Sequence, residues 1–235
     1  MVIDILEFNP EKIDKMLTAG KKIGYWGFII HINKPDQVQT IQKIGTESEI
    51  PAIPLVEINQ YNAIPNKDKY LIIGTKATNE TEFRKSIRNP KISLITIDPN
   101  NIAKIINKQT INIAKQYYKF IEIPIKPLLY AQPTERHKIL TTIRNTLRLI
   151  SNKKIRIIFT TRATNIYEMI TPRQLRAVLL QIGFKDTTIT RILKQNPLEL
   201  IITPYEITTI KDKNTLKVLE KILELGRRAG LEPAT

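Results

Sequence analysis

Seven short apolar runs, punctuated by helical patterns, limit the fold of this chain more than any other feature: Val2–Glu7, Trp26–Ile32, Ala52–Ile58, Tyr70–Gly74, Ser93–Ile97, Phe120–Ile123 and Ile155–Thr160. Most do not alternate apolar with polar residues, which is the pattern of strands buried on both faces, and such strands are parallel with helices between them. The intervening patterns agree. Asn9-Pro10 opens a helix with Ile13, Met16 and Leu17 at i, i+3, i+4, and a second helix runs from Pro35 to Ile44 with Val38 and Ile41 inward. Further helices follow over Glu80–Ile87, Asn101–Ile106, Thr110–Tyr118 and Thr134–Ile150, the last with Ile139, Ile143, Leu147 and Ile150 inward and Arg144 and Arg148 outward. Only between the third and fourth strands does a Pro- and Asn-containing loop replace the helix. A doubly wound sheet would carry a Gly-rich turn after its first strand, and Phe8-Asn9-Pro10 is not one. The expectation is therefore an α/β fold, an irregular TIM-like (β/α) barrel of about seven strands and about ten helices, with residues 1–225 as a single domain and 226–235 as a flexible basic tail.

The stretch from Ile155 to Gly183 is the most fully specified. Its strand passes through the loop residues Thr161, Arg162, Thr164 and Asn165 to a helix whose ends are both encoded, with Thr171 as cap, Pro172 at the first position, Gln174 completing a capping box and Gly183 as terminator. Leu175, Val178, Leu179 and Ile182 form its apolar face. Arg173 and Arg176 sit near its positive end, a placement that costs roughly a few tenths of a kcal/mol each unless an anion lies nearby. Beyond it we expect a helix from Thr187 to Gln195, capped by Asp186 and stopped by Asn196-Pro197, then a turn around Leu198–Ile202 and a last helix from Leu216 to Leu225.

Charge points to a polyanionic partner. The chain of 235 residues has a formal net charge of +15, and the segment from Arg136 to Lys194 holds 13 Lys and Arg against 2 Asp and Glu, leaving 24 against 20 elsewhere. An excess this uneven favours nucleic acid. No apolar run approaches the roughly 20 residues of a membrane span, and the first residues lack a signal-peptide pattern, so a cytoplasmic protein with no membrane partner is expected. The absence of cysteine excludes disulfides, thiolate catalysis and cysteine-based zinc sites.

The strand ends present Glu7, His31, Glu57, Lys76, Asp98, Glu122 and Arg162. His31, Asp98 and Glu57 are the residues that could form a metal or acid/base site, but two histidines in the whole chain are few for a metal hydrolase. The alternative is that Asp98 caps the turn Pro99-Asn100 while Glu57 and His31 end their strands. No P-loop, nucleophile elbow or dinucleotide fingerprint is present. Basic residues are more coherent: Arg162, Arg173 and Arg176, then Lys185, Arg191 and Lys194, with Lys76, Arg84, Lys85 and Arg88 around the fourth strand, all expected at one end of the barrel. With an aromatic content of 6% and Tyr167 alone nearby, that surface suits folded RNA read by shape and backbone.

The segment Thr160–Phe184, TTRATNIYEMITPRQLRAVLLQIGF, resembles the conserved segment of protein component 3 of archaeal-type ribonuclease P. Thr160, Thr161, Tyr167, Glu168, Thr171, Pro172, Arg173, Leu175 and Gly183 match it, and Gln174 departs from an Asp common in the family. The order of strands and helices fits back to Val2. The resemblance implies a TIM-like barrel related to the polymerase and histidinol phosphatase metal hydrolases but without their metal site. It further implies a non-catalytic subunit that, with a small α/β protein subunit, binds ribonuclease P RNA, which removes the 5′ leader of precursor tRNA. Contact with precursor tRNA would be indirect. No cofactor would bind this chain, and Mg would associate with the RNA. Arg162, Arg173, Arg176, Lys185, Arg191 and Lys194 would contact phosphates, with Lys76, Arg84 and Arg88 as a second set. Two other readings stand beside this one. They are a degenerate metal-dependent phosphoesterase or nuclease acting alone through His31, Asp98 and Glu57, and a barrel enzyme clamping a small phosphorylated metabolite with Lys76 and Arg162.

Overall fold

The computed structural model describes residues 2–34, 36–48, 50–58, 72–148, 155–202 and 213–228. Seven parallel strands, β1 (Ile3–Glu7), β2 (Gly27–Ile32), β3 (Ala52–Glu57), β4 (Ile72–Ala77), β5 (Leu94–Ile97), β6 (Phe120–Pro124) and β7 (Arg156–Thr160), pair in chain order. The fourth strand extends past Gly74 to Ala77, and the expected strand residues Tyr70 and Leu71, like the loop before them, lie outside the described residues.

The sheet curls into an irregular TIM-like barrel whose seam is closed by the segment after β7. The Glu7 amide donates to the Ala163 carbonyl at 2.9 Å, the Arg162 amide donates to the Ile5 carbonyl at 3.0 Å, and Leu6 bridges Ala163. Asp4 locks the same seam: its carboxylate accepts from the Thr161 amide at 2.8 Å and the Thr161 hydroxyl at 2.5 Å.

Two apolar layers explain the unalternating strands. One face of each strand fills the barrel with Ile3, Ile5, Ile29, Ile53, Leu55, Ile72, Leu94, Phe120 and Ile158. The other, with Leu6, Phe28, Ile30, Ile73, Ile95, Ile121 and Phe159, packs against the surrounding helices. These include α1 (Ile13–Lys22), α2 (Gln37–Glu47), α3 (Glu80–Arg88), α4 (Ile102–Ile105), α5 (Lys108–Gln116), α6 (Lys126–Tyr130), α7 (Pro133–Arg148) and α8 (Pro172–Ile182). The capping box of α8 is formed in both directions, with the Gln174 amide donating to Thr171 Oγ1 at 3.1 Å and the Thr171 amide to Gln174 Oε1 at 2.8 Å. Gly183 ends it at φ 103°, in the left-handed region that favours glycine. Ile139 and Ile143 of α7 are buried as expected; Ile150 and the Leu147 side chain lie outside the described residues.

The structure departs from expectation in three places. Between β6 and the long helix α7 an additional helix, α6, begins at once, with Pro127 in its first turn where a missing N–H costs nothing. Asn196-Pro197 does not stop a helix. From Lys185, which takes the cap position expected for Asp186, α9 (Asp186–Thr190) passes through a π-turn at Arg191–Gln195 into α10 (Asn196–Ile202). The π register accommodates Pro197, which lacks the amide and crowds the carbonyl of an α-helical turn. Burial of Leu198, Leu200 and Ile201 and a bond from Asn196 Nδ2 to the Ile157 carbonyl at 2.6 Å hold the segment under the barrel. The last helix, α11 (Lys213–Arg228), is longer than Leu216–Leu225 and removes Gly226–Arg228 from the expected tail, whose remainder lies outside the described residues. Together α10 and α11 plug the amino end of the barrel, as Val218, Leu219 and Ile222 join the interior cluster and Lys221 Nζ donates to the Ser48 carbonyl.

Candidate nucleic-acid interface around a barrel with an internal arginine

At the carboxyl end the apolar filling gives way to charge. Arg162, only 6% exposed, turns back into the barrel from a backbone at φ 49°, a region that most side chains avoid. Its guanidinium meets Glu122 at both ends, Nε to Oε1 at 2.7 Å and Nη2 to Oε2 at 2.5 Å. Nη1 reaches Glu7 Oε1 at 3.0 Å and Glu57 Oε2 at 3.4 Å, while Thr96 Oγ1 accepts from Nη2 at 3.1 Å. His31 lies between two of the same carboxylates, 2.5 Å from Glu7 and 3.3 Å from Glu57. Burial opposes ionisation of Glu122, but the Arg162 guanidinium and hydrogen bonds from it, Thr160 and Thr96 outweigh burial and hold the carboxyl below its usual pKa. Arg162 is correspondingly held protonated, its pKa raised by the same glutamates against the effect of burial.

Above this network opens a cavity of about 210 Å³ lined by Lys76, Asp98, Lys126, Pro124 and Pro127, with Glu7, Glu57, Thr96 and Arg162 at its floor. Asp98 accepts from the Asn100 amide at 2.9 Å and heads the turn Pro99–Asn101, the capping role considered above. No cluster of three His, Cys, Asp or Glu side chains arranged to hold a metal occurs among the described residues.

A second hub stands beside the mouth. Glu168, 7% exposed, accepts from Lys126 Nζ at 2.8 Å, from the Thr164 amide at 2.7 Å and hydroxyl at 2.9 Å, and from the Tyr130 hydroxyl. Burial raises its pKa, the Lys126 and Tyr130 hydrogen bonds and those of Thr164 lower it, and the balance is about 2.

The basic residues expected at one end are not brought together. Arg162 is the plainest correction: it is inside the barrel because three glutamates at strand ends need a counter-ion, and its guanidinium does not face solvent. Arg88 closes the last turn of α3, and a helix following a parallel strand returns to the amino end, away from Lys76 on β4. Lys185, Arg191 and Lys194 lie on the segment leading under the barrel. Arg176 pairs with Asp186 at 2.7 Å, and Arg84 pairs with Glu80 at 2.6 Å and donates to Gln109. Arg191 is half-buried and its Nε has no hydrogen-bond partner among the described residues. Arg173, Arg88, Lys76 and Lys185 are exposed. Sequence reading missed the partnership of Glu168 with Lys126 and Tyr130, which no spacing encodes. Asp4 did leave a signal, as a charge with apolar residues on both sides inside the first strand.

The profile of the RNase P subunit p30 family matches residues 7–204, most of the chain. The chain belongs to the RNase P subunit p30 family. As a p30-family member it is a protein subunit of ribonuclease P. It is similar in fold to a chain in the cryo-EM structure of archaeal ribonuclease P with mature tRNA, with a TM-score of 0.74 at 18% identity over 90% of this chain and 94% of that one. Weaker likeness extends to Aspergillus niger ochratoxinase, with a TM-score of 0.51 at 9% identity over 86% and 71% of the two chains. An apo structure from Agrobacterium tumefaciens gives 0.52 at 10% identity over 85% and 95%. These likenesses show the barrel only. No curated protein sequence gives a significant match.

Proposed function

We propose that this p30-family subunit binds ribonuclease P RNA and supports RNA-catalysed removal of the 5′ leader from precursor tRNA without performing chemistry itself. The observation that carries this reading is the internal guanidinium. Side chains at the carboxyl strand ends, where barrel enzymes place their chemistry, are here tied to Arg162: Glu7, Glu57 and Glu122 neutralise it, and His31 is held between two of them. A phosphoesterase acting through His31, Glu57 and Asp98 would need those groups free, as would a metabolite clamp built on Arg162.

RNA contact then falls to Arg173, Arg176, Lys185, Arg191 and Lys194, with Lys76, Arg84 and Arg88 as a second set. Screening phosphates is their role, so Mg belongs to the RNA. A small α/β protein subunit completes the assembly, and precursor tRNA is reached through the RNA. A cytoplasmic location fits this work; among the described residues no helix is long and apolar enough to cross a membrane. Reconstitution of precursor-tRNA cleavage from RNA and the other protein subunits, with and without this chain, tests the reading. We expect the chain to raise activity and lower the magnesium requirement; no change in either would overturn it.

A further inference from the structure

Tyr167 is 92% exposed, the highest value among the large apolar side chains outside the core, yet its backbone is firmly held. It sits in the turn Ile166–Glu168, where its amide donates to Asn165 Oδ1 at 2.9 Å. The next residue, Glu168, is the buried hub described above. That hub binds the hydroxyl of a second exposed ring, Tyr130 at 64%, from the neighbouring strand-end helix α6. The carboxylate thus holds the Tyr130 ring by a hydrogen bond and anchors the turn that carries Tyr167. A core residue would turn inward and a solubilising surface position would be polar; a ring with open faces on a held backbone suits a flat partner.

Charge selects the partner. The carboxylate in this turn is buried and matched by Lys126, so it does not repel an anion. Six residues on, Arg173 is exposed in the first turn of α8, with no acidic residue in that turn. An open π face with an exposed cation a few residues further along the chain is a combination that can take an unpaired nucleotide, the ring stacking on the base and the cation meeting the phosphate. Resting on the ribonuclease P reading above, we propose that Tyr167 is a stacking platform for an unpaired base of ribonuclease P RNA, and that Arg173 holds the adjoining phosphate.

The test measures binding of the full chain to the full-length ribonuclease P RNA transcript over a salt series, with and without the other protein subunits. Tyr167→Ala and Tyr167→Leu should each weaken binding roughly 5- to 150-fold, the range for loss of one stacked base, while Tyr167→Phe keeps wild-type affinity. The dependence of log affinity on log salt should be unchanged in all three, because stacking releases no counterions, whereas Arg173→Ala should lower its slope by about one. Thermal unfolding of each variant should match wild type, since the ring touches little of the protein. Tyr167→Ala with wild-type RNA affinity, Tyr167→Leu binding as well as Tyr167→Phe, or a loss seen only when another protein subunit is present would overturn the platform, the last pointing to a protein contact. Failure of the wild-type chain to bind the transcript at all would instead sink the RNA-subunit reading, and the platform with it.

Discussion

Arg162 shows how one residue can change meaning between sequence and structure. In the sequence it is a loop arginine in a basic region; in the barrel it is the counter-ion of Glu7, Glu57 and Glu122. The expected barrel already brings those four residues to its strand ends; what no spacing announces is that Arg162, on the loop after the last strand, turns inward to meet the three glutamates rather than outward to a partner. Removing the guanidinium leaves the fully buried Glu122 with only the Thr96 and Thr160 hydroxyls and no counter-ion, so Arg162→Ala should lower unfolding free energy by about 3–5 kcal/mol, read from the denaturant midpoint. Loss of less than about 1 kcal/mol would show that the network is dispensable. Asp4 makes a prediction of the opposite pH sense. Its burial, opposed by hydrogen bonds from Thr161 and Ile5, pushes its pKa to about 6. The folded state therefore holds this proton more tightly than the unfolded chain does, and the stability it contributes at low pH is lost as pH rises through about 6. Glu122 and Glu168, with lowered values, contribute stability that is lost as pH falls through the carboxylate range. Asp4→Asn should remove the Asp4 share, flattening the decline in melting temperature between about pH 4 and pH 7.

Elements were legible where their signals were local. The helix α8 follows its caps from Thr171 to Gly183, and its apolar residues Leu175, Leu179 and Ile182 are buried. Thr171→Ala should cost about 1 kcal/mol through loss of the capping box, measured by chemical denaturation. The helical run from Asp186 to Ile202 was misread because Asn196-Pro197 is a strong local stop signal, whereas the reason to continue lies in Leu198, Leu200 and Ile201, which fill the barrel foot. Asn196, half of that stop signal, is a strut to the Ile157 carbonyl. Asn196→Ala leaves that carbonyl without its donor and should destabilise by about 1–3 kcal/mol. An equilibrium midpoint equal to wild type would show that the π-turn holds itself.

For the molecule as a whole, barrel class and the excess of positive charge could both be read from composition and pattern. The location of that charge could not. Each βα unit returns its helix to the opposite end, so cations close in sequence, such as Lys76 and Arg88, separate in space, and pairing removes others: Arg156 with Glu199, Arg176 with Asp186, Arg84 with Glu80. A net charge of +15 therefore overstates what one face can offer an RNA. Arg173→Ala should weaken RNA-dependent assembly several-fold while leaving the melting temperature within about 1 °C, since its exposed side chain takes no part in the Thr171–Gln174 capping box or the core.

The seam joining Asp4 to Thr161 spans 157 residues of chain. During synthesis the edge of β1 must wait, apolar and unpaired, until the segment beyond β7 has left the ribosome. Local pairs such as β1 with β2 can form early, but closure is necessarily a late and slow event, because the longest loop in the barrel has to be closed before its contacts reward it. Chains halted anywhere before Ala163 would carry an open sheet edge able to pair with another nascent copy. The residues Thr161, Arg162 and Ala163 that complete the native ring thus decide when this protein stops being an aggregation risk.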